Sequence, residues 1–392
     1  MELNQLFIGN YGDREICLEK GQGVYVQDTD GKKYLDFGAG IAVNSLGYSH
    51  PVLVDTLKRQ ADKLWHSSNL YLNQLSCNLA KELISRSFAD KVFFCNSGLE
   101  ANEAALKLAR KRGNAINPRK NRIICFTGAF HGRSFFTLSL GGKAEHWKPY
   151  GPLPEGITRV AFNDCGALKD AMNDDVCAII LEPIQGEGGV NLASSELLNT
   201  ARTLCDQHDA LLILDEVQSG MGRTGALFAY KDDAILPDLM TSAKGLGGGF
   251  PIGCLLATEN AAASFAAGNH GSTFGGNCLA AAVACEVIKI IDDESFLAKV
   301  RSLGELLGAR LQALDEEFHC FKEIRGRGLL WGGQLTDKYN GAKLRDLCRS
   351  EGLLILLAGE ADVLRFAPPL IISEDQLKDG LDRLAKCLAK CR

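Results

Sequence analysis

From Val92 to about Leu256 the chain alternates short apolar runs with segments of helical spacing. The runs are "KVFFCNS", "RIICFTG", "CAIILEP", "LLILDEV" and "PIGCLLAT". Runs of four to eight apolar residues without polar alternation predict strands covered on both faces. Strands alternating with helices predict a mainly parallel sheet in an α/β domain. Upstream, "GVYVQDTDGKKYLDF" alternates apolar and polar residues about Asp30-Gly31, which predicts a β-hairpin. "HPVLVDTLKRQADKL" predicts a helix. After about Asn269 the texture changes. An amphipathic helix from about Cys278 leads to helices and short strands such as "GLLWGGQL" and "VLRFAPPL". The expected division is residues 1–50 and 280–392 as a smaller domain built from both chain ends, around a large α/β domain at 51–279.

The 392 residues are 46% hydrophobic and 23% charged, an ordinary globular balance that can bury a large core. The net charge of −5 leaves no footprint for nucleic acid or an anionic membrane. No apolar run approaches the ~20 residues of a membrane span. The first 21 residues lack a basic stretch followed by an apolar one, so no secretory leader is expected. The 14 cysteines form no C-x-x-C pair and no zinc-finger spacing with histidine. They read as small buried hydrophobes in a reducing cytoplasm, with no metal site.

Candidate chemistry collects at strand ends, where open α/β sheets bind ligands. Asp215 and Glu216 follow the apolar run Leu211–Leu214. A buried carboxylate there needs a cation or hydrogen bonds. Asn96, Ser97 and Gly98 precede a helix whose apolar positions are Ala101, Ala104, Ala105 and Leu108. That turn reads equally as a helix cap and as a phosphate site. Lys244 adjoins the glycines of "TSAKGLGGGFPIG" without the order of a P-loop. Alone it reads as a solvated lysine or as an amine that condenses with an aldehyde. Together, the acid, the phosphate-ready turn and the lysine match the needs of pyridoxal phosphate: a carboxylate for its ring nitrogen, an amine for its aldehyde, and an anion site. No G-x-G-x-x-G with the context of a nicotinamide-binding fold is present.

The segments "DGKKYLDFGAGIAVNSLGYSHP", "NSGLEANEAALKLAR", "AFHGRSFFTLSL", "LEPIQGEGGV", "LLILDEVQSGMGRTG", "SAKGLGGGFPIG", "HGSTFGGNCLA" and "VLRFAPPL" span nearly the whole chain. In order and spacing they resemble the class III aminotransferases of pyridoxal-phosphate fold type I. The resemblance implies a mainly parallel seven-stranded sheet and a smaller α+β domain. It implies pyridoxal 5'-phosphate as cofactor, with Lys244 bonded to its aldehyde and Asp215 on its ring nitrogen. Gln218 then meets the ring hydroxyl, Phe130 and Val217 cover the two ring faces, and Ser97, Gly98 and Leu99 hold the phosphate. Thr273 is matched to a threonine that reaches the phosphate of a neighbouring subunit, so a cytoplasmic homodimer with shared sites is expected. His131 reads either as a catalytic base or as a histidine orienting its loop, and Glu216 as part of a local hydrogen-bond network.

A transaminase serves two substrates in one site. The resemblance implies arginine biosynthesis, with N-acetylornithine as amino donor and the 2-oxoglutarate/glutamate pair as acceptor. Succinyl-diaminopimelate, ornithine and 4-aminobutyrate remain alternative donors, which Asn69, Tyr71 and Arg133 do not rank. Guanidinium binds carboxylate bidentately. Arg133 is matched to the distal carboxylate, Arg365 to the α-carboxylate of glutamate, and Ser272 to the substrate site. Glu187 is matched to a glutamate that masks Arg365 while the donor is bound.

Overall fold

The computed structural model describes residues 3–12, 14–359 and 362–391. Residues 1, 2, 13, 360, 361 and 392 lie outside it, so the extreme ends of the expected segments 1–50 and 280–392 are not described. The expected hairpin is present: Tyr25–Asp28 pairs antiparallel with Lys33–Asp36. Strand Leu18–Gln22 flanks it, and Leu353–Leu354 from the distant C-terminal part adds in parallel.

Seven strands form the central sheet, in the spatial order Lys91–Cys95, Gly253–Ala257, Leu239–Ser242, Leu211–Asp215, Val176–Leu181, Arg122–Phe126, Ile157–Val160. Only Gly253–Ala257 runs against its neighbours; the other pairings are parallel. Val176–Leu181 and Leu211–Asp215 are buried at every position. Both faces of these strands are covered, which is why their sequences are apolar without alternation. The strands Ile157–Val160 and Leu239–Ser242 are too short and mixed to stand out among the apolar runs.

Helix Gly98–Ile116 crosses the sheet and packs on the strands Gly253–Ala257, Leu239–Ser242 and Val176–Leu181. Its buried positions include Ala101, Ala104, Ala105 and Leu108, the spacing expected from sequence. Small residues let the helix lie close. A Cβ on Gly113 would stand 2.0 Å from the carbonyl oxygen of Lys120 and 2.6 Å from Cβ of Cys177.

The helix Cys278–Ile291 is amphipathic as expected, with a narrow polar side where the exposed Lys289 pairs with the half-buried Glu286. It is buried on nearly every side, from Ala280 to Ile291. It is wedged against the helices Pro51–Ala61 and Gln74–Ser85 and the turn Lys244–Gly247. Neighbours on several sides leave it only that narrow water-facing strip. Beyond it, helices Glu294–Phe318, Gly341–Ser350 and Glu374–Lys390 pack around a second sheet, ordered Phe321–Arg327, Leu330–Leu335, Val363–Phe366, Leu356–Ala358. Strand Val363–Phe366 carries Arg365.

Most cysteines are buried and all the described ones are free thiols; Cys17 is exposed, and Cys77 and Cys391 are half-buried. No helix among the described residues is long and apolar enough to cross a membrane.

Candidate active site

Asp215 ends the strand Leu211–Asp215 and is 4% exposed. Its Oδ1 accepts from the main-chain N–H of Val217 at 3.0 Å. Its Oδ2 accepts from Nδ2 of Asn102 at 2.8 Å and lies 2.7 Å from Nδ1 of His131. Burial works against the charge, but the bond and charge of His131, with the Val217 and Asn102 donors, outweigh it. They hold Asp215 below the usual carboxylate range. His131 is itself buried; burial disfavours its charged form, and its bond to Asp215 outweighs that and raises its pKa. Its Nε2 has no hydrogen-bond partner.

Lys244 opens a turn just after the strand Leu239–Ser242. Its φ of +42° is a conformation that a side chain with a Cβ rarely adopts, so the turn holds the lysine under backbone strain. Burial disfavours the ammonium, and the Lys244 pKa is lowered to about 8. Glu187, Asp215 and Glu182 oppose that shift, while Arg365 adds to it.

Ser97 caps helix Gly98–Ile116: its Oγ accepts from the Glu100 N–H at 3.2 Å. Glu100 reaches back to accept from the main chain of Asn96 at 2.7 Å. The N–H groups of Gly98 and Leu99 at the start of the helix have no partner within it. A Cβ on Gly98 would lie 2.7 Å from both methyls of Val217, so only glycine allows the turn to press against that side chain.

These groups line one cavity of about 380 Å³, together with Phe130, Arg133, Glu182, Glu187 and Gln218. Arg365 stands directly behind. It is buried, makes an ion pair with Glu187, and donates to the main-chain oxygen of Gly186 at 3.0 Å and to Oε1 of Gln218 at 3.2 Å. Gln218 in turn donates to Glu187 at 3.2 Å. Burial alone would raise the Glu187 pKa; Arg365 and Lys244 reverse that and lower it. Arg133 is exposed at the cavity and has no carboxylate partner among the described residues.

Ser272 and Thr273 are not on this wall. Ser272 Oγ accepts from Nδ2 of Asn96, next to Ser97, at 3.2 Å. Thr273 is exposed on the same loop. Asn69 fastens that loop to its own segment, donating to the main-chain oxygens of Ser272 and Gly275 at 2.8 and 3.2 Å. Tyr71 lies nearby in sequence and is 72% exposed. Glu216 points away from the cavity. It accepts from the main-chain N–H groups of Ala229 and Tyr230 at 2.6 and 2.8 Å, closing the loop that follows the strand.

Two residues here escaped the sequence reading. Glu182, at the end of the run "CAIILEP", is buried, accepts from the Phe130 N–H at 2.9 Å, and has a pKa pushed up to about 8, chiefly by burial. Asn102 is a buried polar residue on the core-facing side of its helix, four residues after Gly98. That interruption of an apolar stripe was its only signal.

The cavity fits pyridoxal phosphate. Its walls supply a carboxylate held charged, an amine made easy to deprotonate, and two free N–H groups at a helix start. Comparison with known proteins agrees. The family Aminotransferase class-III matches residues 8–388. The chain is 50% identical over 384 residues to "Acetylornithine aminotransferase" of Neisseria meningitidis serogroup A, covering 97% of this chain and 96% of that protein. It is 46% identical over 393 residues to "Succinylornithine transaminase/acetylornithine aminotransferase" of Pseudomonas aeruginosa, covering 99% and 96%. The crystal structure of N-acetylornithine aminotransferase from Stenotrophomonas maltophilia K279a superposes with a TM-score of 0.86 at 43% identity, covering 99% of both chains. On this breadth of similarity, the chain belongs to the class III aminotransferases.

Proposed function

We propose that the chain transfers the side-chain amino group of N2-acetyl-L-ornithine to 2-oxoglutarate, using pyridoxal 5'-phosphate. The products are N-acetylglutamate 5-semialdehyde and L-glutamate, a step of arginine biosynthesis. The observation that carries this reading is the contrast between two arginines at one cavity, Arg133 open and Arg365 masked by Glu187.

When bound, the cofactor supplies an aldehyde that bonds amino groups and a ring that withdraws electrons from the substrate carbon. Every other task falls to the chain. The Gly98 and Leu99 N–H groups and the Ser97 hydroxyl hold the phosphate. Phe130 and Val217 would flank the cofactor ring, and Gln218 would hydrogen-bond to it. Asp215 opposes the ring nitrogen with a fixed negative charge. Lys244, whose neutral amine is favoured by burial, would take up and return the proton at the substrate carbon.

Arg133 binds the carboxylate at the far end of the acylornithine. The Arg365–Glu187 pair stays closed for that donor, which brings no carboxylate close to its reacting amine. Removing one partner of a buried pair costs about 3–5 kcal/mol. Glu187 therefore leaves only when another carboxylate replaces it, and the α-carboxylate of 2-oxoglutarate or glutamate does so. Succinylated donors are a second reading, favoured by the exposure of Arg133 and by the double name of the Pseudomonas relative.

Residues 1–50 and 280–392 form the smaller domain in this account, and it is the part that delivers Arg365. The active form is a cytoplasmic homodimer. Apolar side chains crowd one exposed segment, Trp65, Leu70, Tyr71 and Leu72, and the His66 ring packs at a tilt against the exposed Phe274 beside Thr273. A patch of that kind marks an interface. It brings Thr273, and Ser272 beside it, to the neighbouring subunit's site.

The direct test is a half-reaction. N-acetylornithine added alone to the purified protein should convert the spectrum of the bound cofactor, and 2-oxoglutarate should restore it. A spectrum that ignores N-acetylornithine yet responds to glutamate would overturn this donor. Glu187→Ala should keep the donor half-reaction within about threefold while weakening discrimination in the glutamate half-reaction by tenfold or more, as expected for a lost charged partner. Kinetics unchanged from the wild type in both halves would rule out the masking role. Capture of the cofactor by the apoenzyme requires neutral Lys244. Its rate should rise with pH through about 8 and level off above, because burial disfavours the ammonium. A midpoint in the ordinary lysine range would contradict the buried site.

A further inference from the structure

Asn102 is 1% exposed and makes three hydrogen bonds with its amide. Nδ2 donates to Oδ2 of Asp215 and to the main-chain oxygen of His131, each at 2.8 Å. Oδ1 accepts from the hydroxyl of Thr241 at 2.8 Å. Two of these contacts are to pure acceptors, so the amide can face only one way. One side chain thereby joins the helix that starts at Gly98, the end of the Asp215 strand, the loop of Phe130 and His131, and the strand that leads to Lys244.

The two oxygens of Asp215 are consequently unlike. Oδ2 is engaged by two side chains, His131 and Asn102. Among the described residues Oδ1 is engaged only by the Val217 N–H, which leaves it acceptor capacity. We propose that Asn102 is a positioning residue: by occupying Oδ2 alongside His131, it reserves Oδ1 of Asp215 for the cationic ring nitrogen of the cofactor and keeps that carboxylate ionised. The inference rests on the reading of the cavity as a pyridoxal phosphate site.

The charge at position 102 is what matters here, beyond its volume. Aspartate is nearly isosteric with asparagine and keeps the Thr241 contact. It replaces the donor facing Oδ2 with a second carboxylate. Two carboxylates sharing a buried spot cannot both stay charged. The other groups facing Asp215 do not relieve this. His131 is already bonded to Oδ2, Glu182 is another acid at the adjoining strand end, and Lys244, across the cavity, is shared with Glu187. A protonated carboxyl at position 102, by contrast, can donate to Oδ2 as the amide does.

The test measures the dissociation constant of pyridoxal phosphate by equilibrium dialysis across pH, for the wild type, Asn102→Asp and Asn102→Ala, alongside the thermal midpoint of each apoprotein. Losing a hydrogen bond to a charged group should weaken binding about tenfold or more in Asn102→Ala at every pH, and in Asn102→Asp once the pH is high enough to remove the proton the two carboxylates share. Only Asn102→Asp should recover as the pH falls, since only its side chain regains a donor on protonation. Wild-type affinity for Asn102→Asp at every pH would overturn the proposal. So would equal, pH-independent losses in both variants, which are the mark of packing alone. A wild-type protein that binds no pyridoxal phosphate would instead overturn the reading of the cavity, and this inference with it.

Discussion

A carboxylate closed off from water at the end of a central strand is the constraint around which the site is arranged. Transferring an ionised Asp215 out of water is costly, and an unpartnered acid would take up a proton. The chain offsets the cost locally, with three hydrogen bonds and the charge of His131. Each of those donors comes from a different element. The helix Gly98–Ile116, the loop of His131 and the turn after Asp215 must all be in place before the acid is stable as an anion. The same pieces present the free helix N–H groups, the aromatic wall at Phe130 and the Val217 side chain. Charge and geometry are therefore set by the same packed elements.

Around that fixed anion the other charges are poised to change. Lys244 is destabilised as an ammonium by burial. Glu182 is destabilised as a carboxylate for the same reason. Glu187 keeps its charge only through Arg365 and Lys244. A cavity holding a fixed anion beside several conditional charges suits a reaction that must hold one proton and move another.

The strands and the chemistry that sits on their ends were legible because their patterns are local. Leu211–Leu214 followed by Asp215 states a buried strand and a buried acid within five residues. Ser97 with Gly98 states a helix start, and the glycines beside Lys244 state a tight turn. The roles proposed for Phe130, Arg133, Gln218, Glu187 and Arg365 came only through family resemblance, since an isolated arginine or phenylalanine carries no such message. Asn102 was read by neither route. Its partner Asp215 lies 113 positions away, and only the folded sheet brings them together. The helix Cys278–Ile291 was legible with its polar side at Glu286 and Lys289, but its packing against two helices and the Lys244 turn is a tertiary fact.

The central claim is that Asp215 keeps a cationic ring nitrogen charged. The most direct measurement is the ¹⁵N NMR shift of pyridoxal phosphate labelled at that nitrogen and bound to the protein. The account predicts a protonated nitrogen that stays protonated into the alkaline range, and one that loses its proton near neutrality when Asp215→Ala is substituted. An unprotonated nitrogen in the wild-type protein at neutral pH would contradict it.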